Sequence, residues 1–169
     1  MGNRVLMAAA ASVADPTAPD VAQLIADMTE TMAAAGGVGL AAPQVAAPLR
    51  LVLFRVPAGR TEDGAEMPLT VLINPEIVPL DEAIETAYEG CLSLPGLVGA
   101  VPRHGHIGYS GLDVAGRIVE REARGFHARV VQHECDHLDG VLYPMRMTDM
   151  ATLACVEEIQ RRADEEGDA

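Results

Sequence analysis

The segment Val131–Gly140 reads VQHECDHLDG, and its His-Glu-x-x-His core constrains the chain more than any other stretch. In a helix, His133 and His137 are four residues apart, so both imidazoles leave the same face. Two imidazoles on one face are the start of a divalent-metal site, with Glu134 beside them as a general base. The surroundings predict that helix. Gly125 precedes it, Ala128, Val130, Val131 and Leu138 supply apolar positions, and Gly140 is a natural stop.

The rest of the pattern predicts what encloses this helix. A first helix is expected from Pro19 to Ala35, with Thr17 as its cap and Pro19 in its first turn. Val21, Leu24, Ile25, Met28 and Met32 recur at helical spacing, and the methionines read as core. Gly36–Gly37 stop it. Gly37–Gln44 is small, bend-prone and uncharged, and reads as a loop bare enough for a ligand to approach. From Leu49 the period shifts to two. Strands are expected at Leu49–Val56, Leu69–Asn74, Ala83–Glu89, His106–Leu112 and Arg117–Ala123. Turn signals separate them at Pro57–Gly59, Glu62–Gly64, Pro79 and Val114–Gly116, and Gly59–Met67 reads as an exposed loop. No helix intervenes between these strands, so antiparallel pairing is expected. A last helix is expected from Thr148, with Met150, Leu153, Val156 and Ile159 on its apolar face, and Asp164–Ala169 should fray. The expected architecture is α+β: antiparallel strands enclosing a central HExxH helix, with an N-terminal and a C-terminal helix.

At 169 residues, with no repeat and no linker, residues 1–169 are expected to form one domain. The formal net charge is -13, and all twelve basic residues are Arg. Such an acidic chain is a poor binder of nucleic acid or of anionic membranes, so neither partner is expected. The three cysteines, Cys91, Cys135 and Cys155, show no clustered spacing. That argues against a disulfide framework and for a reducing cytoplasm. Arg4 and the alanine run after Val5–Met7 imitate a signal peptide but are too short for one, and Leu6 breaks a myristoylation pattern.

A catalytic metal takes three protein ligands and leaves one position open. The HExxHxxGxxH pattern would supply a third His, but Tyr143 stands there. Glu157 and Glu158 on the last helix are alternatives, as are His104, His106 and His127; for each, a solvated or turn position is the simpler reading. Cys91 lies in a strand-to-turn segment between Gly90 and Ser93.

Three segments resemble the signature motifs of peptide deformylases, in the family's order. Gly37–Gln44 matches G-hydrophobic-G-hydrophobic-A-A-P-Q, Glu89–Ser93 matches E-G-C-hydrophobic-S, and His133–His137 matches the HExxH motif with its Asp. The resemblance runs from about Ala18 to Met147. It implies an enzyme that removes the formyl group from formyl-methionyl peptides and nascent chains. It places Cys91, His133 and His137 on one divalent metal, Fe(II) physiologically, with Zn, Ni or Co as substitutes. It makes Glu134 the proton carrier, and the Gln44 amide and Leu92 N–H the donors to the developing oxyanion. Gly37 and Gly39 would shape the mouth, and the Met side chain would enter near Val130, one turn before Glu134. Asp136 is expected to orient a His ligand, and Glu89 to pair with Arg103.

The chain departs from the family at Ala8–Val13, where a Gly-x-Pro-x-Leu segment is usual; the packing of that stretch is thus left open. The tail after Met147 is acidic, a poor match for ribosomal RNA. Cys135 is expected to be a non-ligand, sensitive to oxidation. Two rival readings are an HExxH endopeptidase, opposed by Tyr143, and a non-catalytic metal protein, opposed by the intact Glu134 and Gln44. Monomer and dimer stay equally open.

Overall fold

The structure, a computed structural model, describes residues 2–61 and 64–167. In chain order the elements are α1 (Pro19–Ala34), β1 (Gly39–Ala41), β2 (Leu51–Val56), β3 (Met67–Pro79), β4 (Ile84–Cys91), β5 (Leu94–His104), β6 (His106–Leu112), β7 (Ile118–Arg124), α2 (Gly125–Leu138), β8 (Ala154–Cys155) and α3 (Val156–Gly167). One sheet runs β1-β2-β3-β6-β7 and the other β4-β5-β8. Every named pair is antiparallel, as the strand run without helices predicts. The fold is α+β with α2 packed at its centre.

Strand alternation explains how the large sheet serves both helices. On β2, Leu51 and Leu53 face α1 and pack with Met28 and Met32, while Val52 and Phe54 face α2 and pack with Ala128 and Val131. A strand buried on both faces reads as a continuous apolar run, which is what Leu51–Phe54 is. The α1 methionines are core, as their spacing implied.

The N-terminal stretch is tied down despite its alanines. The Ala10 N–H donates to Leu138 O, Ala11 exchanges backbone bonds with Pro48 and Arg50, and the Asn74 side chain brackets Val13 through both its N–H and its carbonyl. Ala10 belongs to the cluster under α2. Gly140 closes α2 at φ 71, and a Cβ there would stand 2.7 Å from the Met7 backbone. Small residues here let the two backbones meet, which a bulkier segment would prevent.

Several boundaries differ from the sequence reading. Thr17 does not cap α1: its hydroxyl and N–H bond Asp15, and Ala18 holds the cap position without a side-chain bond. β3 continues to Pro79 through a register shift at Asn74–Pro75. β1 lies inside the segment expected to be a loop. β5 was not expected, because Pro95, Gly96 and Pro102 disguise it. Proline is tolerated because β8 covers β5 only at Leu97 and Val98, so Pro102 has one neighbouring strand, at Thr86. The same pairing delays the last helix. The Ala100 N–H donates to the Thr152 hydroxyl and β8 joins β5, so α3 starts at Val156 rather than Thr148. Asp164–Gly167, expected to fray, belong to α3; Asp168 and Ala169 lie outside the described residues, as do Glu62 and Asp63 of one expected turn. Among the described residues no helix is long and apolar enough to cross a membrane.

Candidate metal centre

The hairpin joining β4 and β5 delivers Cys91. The register slips between Gly90 and Cys91, and Cys91 then faces Leu94 across a two-residue turn. α2 delivers His133, Glu134 and His137. One ligand atom from each of Cys91, His133 and His137 lies within 4.8 Å of the others. Cys91 Sγ is 3.3 Å from His137 Nε2. A tetrahedral centre with bonds of about 2.3 Å to sulfur and 2.0–2.1 Å to nitrogen sets those donors about 3.6 Å apart, so the spacing suits a metal. The other candidate ligands are elsewhere. His106 bonds Asp81 and Glu122 at the surface, His127 lies in the core against Tyr109, His104 contacts Gln132 through its backbone, and Glu157 and Glu158 are on the exposed α3.

Electrostatics favour a cation at this point. Burial opposes charge on His133, yet contacts with Cys91 and Glu89 outweigh it and hold the imidazole raised to about 10. Anions that retain a proton so firmly would equally favour a metal ion. Burial, and then the charge on His133, keep His137 neutral, lowered to about 3. Its Nε2 is therefore available, while its Nδ1 is buried without a partner among the described residues.

The side chain that orients His133 is Glu89, not Asp136. The Glu89 carboxylate contacts His133 Nδ1 at 2.8 Å and accepts from Arg103 at 2.9 and 3.0 Å and from Arg129 at 2.8 Å. That leaves His133 Nε2 to face Cys91 and His137. Burial works against the Glu89 charge, but these bonds lower it to about 2. The expected Glu89–Arg103 pair is present. Asp136 points away from the ligands and accepts from Arg103 at 2.5 Å and Arg146 at 2.7 Å, so it holds the guanidinium that holds Glu89.

Glu134 is 5% exposed and its Oε2 has no partner among the described residues. Burial raises its carboxyl to about 7, with the His133 charge pulling the other way. Gly39 is bare for this side chain: a Cβ there would overlap Oε1 and stand 2.6 Å from Cδ. The Gln44 Oε1 accepts from the Ala41 N–H at 2.8 Å, which turns the Gln44 NH₂ toward the hairpin. That NH₂ donates to Cys91 Sγ at 3.5 Å and to Ser93 Oγ at 3.2 Å. Gly37, Gly39, Gln44, Leu92, Val130 and Glu134 all line one cavity of about 580 Å³. Cys135 is buried on the far side of α2, and burial pushes its thiol up, so the expected sensitivity to oxidation does not follow.

Sequence reasoning missed two supports. Arg129 also donates to the Val101 and Glu85 carbonyls, tying α2 to β5 and β4 of the small sheet; its spacing, four residues before His133, was the available signal. The Tyr143 ring stacks on His133, with centroids 6.3 Å apart and planes 22° off parallel. The residue at the expected third-His position thus braces His133.

A Cys-His-His group beside an unpartnered, buried glutamate at the end of an apolar cavity defines a metal-dependent hydrolase. The sequence model of the polypeptide deformylase family matches residues 1–152. Peptide deformylase 1 of Bordetella pertussis is 51% identical over 99% of this chain and 96% of its own length. Peptide deformylase 1 of Nitrosomonas europaea is 50% identical over 89% and 86%. The class I type b peptide deformylase of Acinetobacter baumannii, solved with Met-Ala-Ser bound, superposes with a TM-score of 0.79 at 37% identity, covering 87% of this chain and 94% of that one. The chain belongs to the polypeptide deformylase family. Its activity is the metal-dependent removal of the N-terminal formyl group from nascent peptides.

Proposed function

We propose that Cys91, His133 and His137 hold the metal, that Glu134 carries the protons, and that Gln44 and the Leu92 N–H receive the oxyanion. The observation carrying this reading is the Cys-His-His group within 4.8 Å, set beside a glutamate oxygen that nothing else uses. Bound there, a divalent ion lowers the pKa of water and polarises the formyl oxygen. Glu134 takes a proton from the attacking water, and its burial, which raises the carboxyl above the ordinary range, makes it a readier proton acceptor. The new C–O bond forms as charge gathers on the formyl oxygen. The Gln44 NH₂, already aimed toward the hairpin by the bond from Ala41, donates to that oxygen in exchange for its contact with Ser93 or Cys91. Glu134 then delivers its proton to the leaving amine as the C–N bond breaks, and formate departs.

Val130, 5% exposed and one turn before Glu134, forms the floor for the Met side chain, while Gly37 and Gly39 keep the opposite wall low. The Met-Ala-Ser tripeptide on the Acinetobacter baumannii relative is what such a reaction leaves behind, which supports the same mouth here. The donor set suits Fe(II), and also Zn, Ni or Co. The chain works as one unit in the cytoplasm. Its net charge of -13 disfavours direct contact with nucleic acid or an anionic membrane, and monomer and dimer are compatible with the site.

The test compares kcat/KM for formyl-Met-Ala, acetyl-Met-Ala and a peptide with only an internal scissile bond. Formyl-Met-Ala should be preferred by at least about 10²-fold, because a methyl displaces the carbonyl from attack geometry. Equal rates on the formyl and acetyl peptides would overturn the assignment. A second expectation concerns Gly39. In Gly39→Ala either β1 or the Glu134 carboxyl must move, and a shift of about 1 Å costs on the order of 10²-fold. Metal content should stay full while kcat/KM falls by that amount; wild-type turnover would show that Glu134 does not need its observed position.

A further inference from the structure

α2 meets the small sheet through two arginines that point in opposite directions. Arg103 leaves β5, grips the Glu89 carboxylate through both its oxygens and reaches Asp136 on α2. Arg129 leaves α2 one turn before His133 and enters the sheet. Its Nη1 donates to Glu89 Oε1 at 2.8 Å and to Val101 O at 2.8 Å, and its Nη2 donates to Glu85 O at 2.7 Å. The side chain is 8% exposed. A buried guanidinium is costly unless it is paired, and this one engages a β4 carboxylate, a β4 carbonyl and a β5 carbonyl with a single fork. The chemical steps above give Arg129 no part.

The two attachments lie apart along the helix. Asp136 is seven residues beyond Arg129, about 10 Å along the axis. Two separated attachments fix the tilt of a helix on a sheet, whereas one leaves a pivot. The consequence falls on the metal centre. Cys91 rides on the β4–β5 hairpin, and His133 and His137 ride on α2. The separation of the thiolate from the imidazoles is therefore the docking distance of hairpin and helix. Metal bonds tolerate departures of only about 0.2 Å.

We propose that Arg129 is a positioning residue for the metal centre: by tying α2 to β4 and β5 it sets the separation of Cys91 from His133 and His137, and with it the affinity for the ion. This rests on the ligand set proposed above. It is distinct from the orientation of His133. Arg103 donates to both Glu89 oxygens, so Glu89 keeps its contact with His133 when Arg129 is lost. Two effects oppose each other in such a variant. Removing a cation makes the surroundings more favourable to a metal ion, while loosening the helix leaves the ligands less well placed. The Arg129 charge is already paired with Glu89, so placement governs. Residues that only position ligands typically contribute about 10–100-fold in metal affinity.

The experiment measures zinc affinity by competition with a chelator, and the absorption spectrum of the Co(II)-loaded protein. Arg129→Met should bind zinc about 10–100-fold more weakly than the wild type. Its thiolate-to-cobalt absorption should be weaker, since the sulfur is the donor carried by the other element. Arg129→Lys keeps the charge beside Glu89 but replaces the fork with a point donor, so it should fold more stably than Arg129→Met and recover little of the affinity. Leu53→Ala, which opens the core on the α1 side of β2, should lower stability without changing zinc affinity. Wild-type zinc affinity in either Arg129 variant overturns the positioning role, as does an equal loss in Leu53→Ala; the ligand set then stands. A wild type that binds no zinc overturns the ligand set and this inference with it.

Discussion

Cys91→Ala is expected to lose its metal and its turnover together while keeping its fold. In the proposed site the thiolate is one of three donors, and the two remaining imidazoles come from a single helix face. Losing a mere support of a ligand already costs about 10–100-fold in metal affinity, so losing the ligand should exceed 100-fold. The fold should survive because Cys91 sits at the end of a hairpin whose strands pair along Ile84–Gly90 without it. Metal content by atomic emission and formate release should therefore fall in parallel, with the circular dichroism spectrum unchanged. Cys155→Ala, on the exposed β8, should retain full occupancy. A fully loaded Cys91→Ala protein would reject this cysteine as the third ligand.

The clustering of Cys91, His133 and His137 was legible in advance because these residues are bound to local geometry. His133 and His137 had to share a helix face, and Cys91 lay in a complete motif. What surrounds them was harder to read. Glu89 and Asp136 are both acids within motifs, and only the fold decides which carboxylate meets His133. β4 brings Glu89 in against α2, whereas Asp136 leaves the helix on another side, toward Arg103 and Arg146. Gly39 read as a residue kept bare for a ligand, and its bareness also makes room for Glu134. Tyr143 was known only as a missing histidine, because stacking on His133 depends on a long-range approach that spacing does not encode.

The same limits appear in the fold. α1, α2, β2 and β6 carry strong periods and were visible. β5 was hidden because two prolines and two glycines stand in it, and its tolerance of Pro102 follows from where β8 stops. α3 carried the right apolar spacing but began late, since β5 captured Ala154 and Cys155 as a strand. In each case a tertiary partner outweighed a local preference.

Glu134→Gln should separate function from stability by moving them in opposite directions. The side chain coordinates nothing in the proposed arrangement, so metal occupancy should stay full. The amide cannot take a proton from water, and general acid–base catalysis typically contributes about 10²–10⁴-fold, which is the expected loss in kcat. Stability should rise. The Glu134 carboxyl is raised to about 7 from an ordinary value of 4.5, chiefly by burial. A carboxyl with a raised folded-state value is well tolerated when protonated, at low pH. Its cost to folding grows as pH climbs from about 4.5 through 7, because the unfolded chain releases that proton more readily. At 1.36 kcal/mol per unit, the full cost above pH 7 is roughly 3–4 kcal/mol. In metal-free protein, Glu134→Gln should therefore unfold at higher urea than the wild type at pH 8, and the gap should close toward pH 4.5. A variant that lost both activity and stability would mark Glu134 as a packing residue and remove it from the proton path.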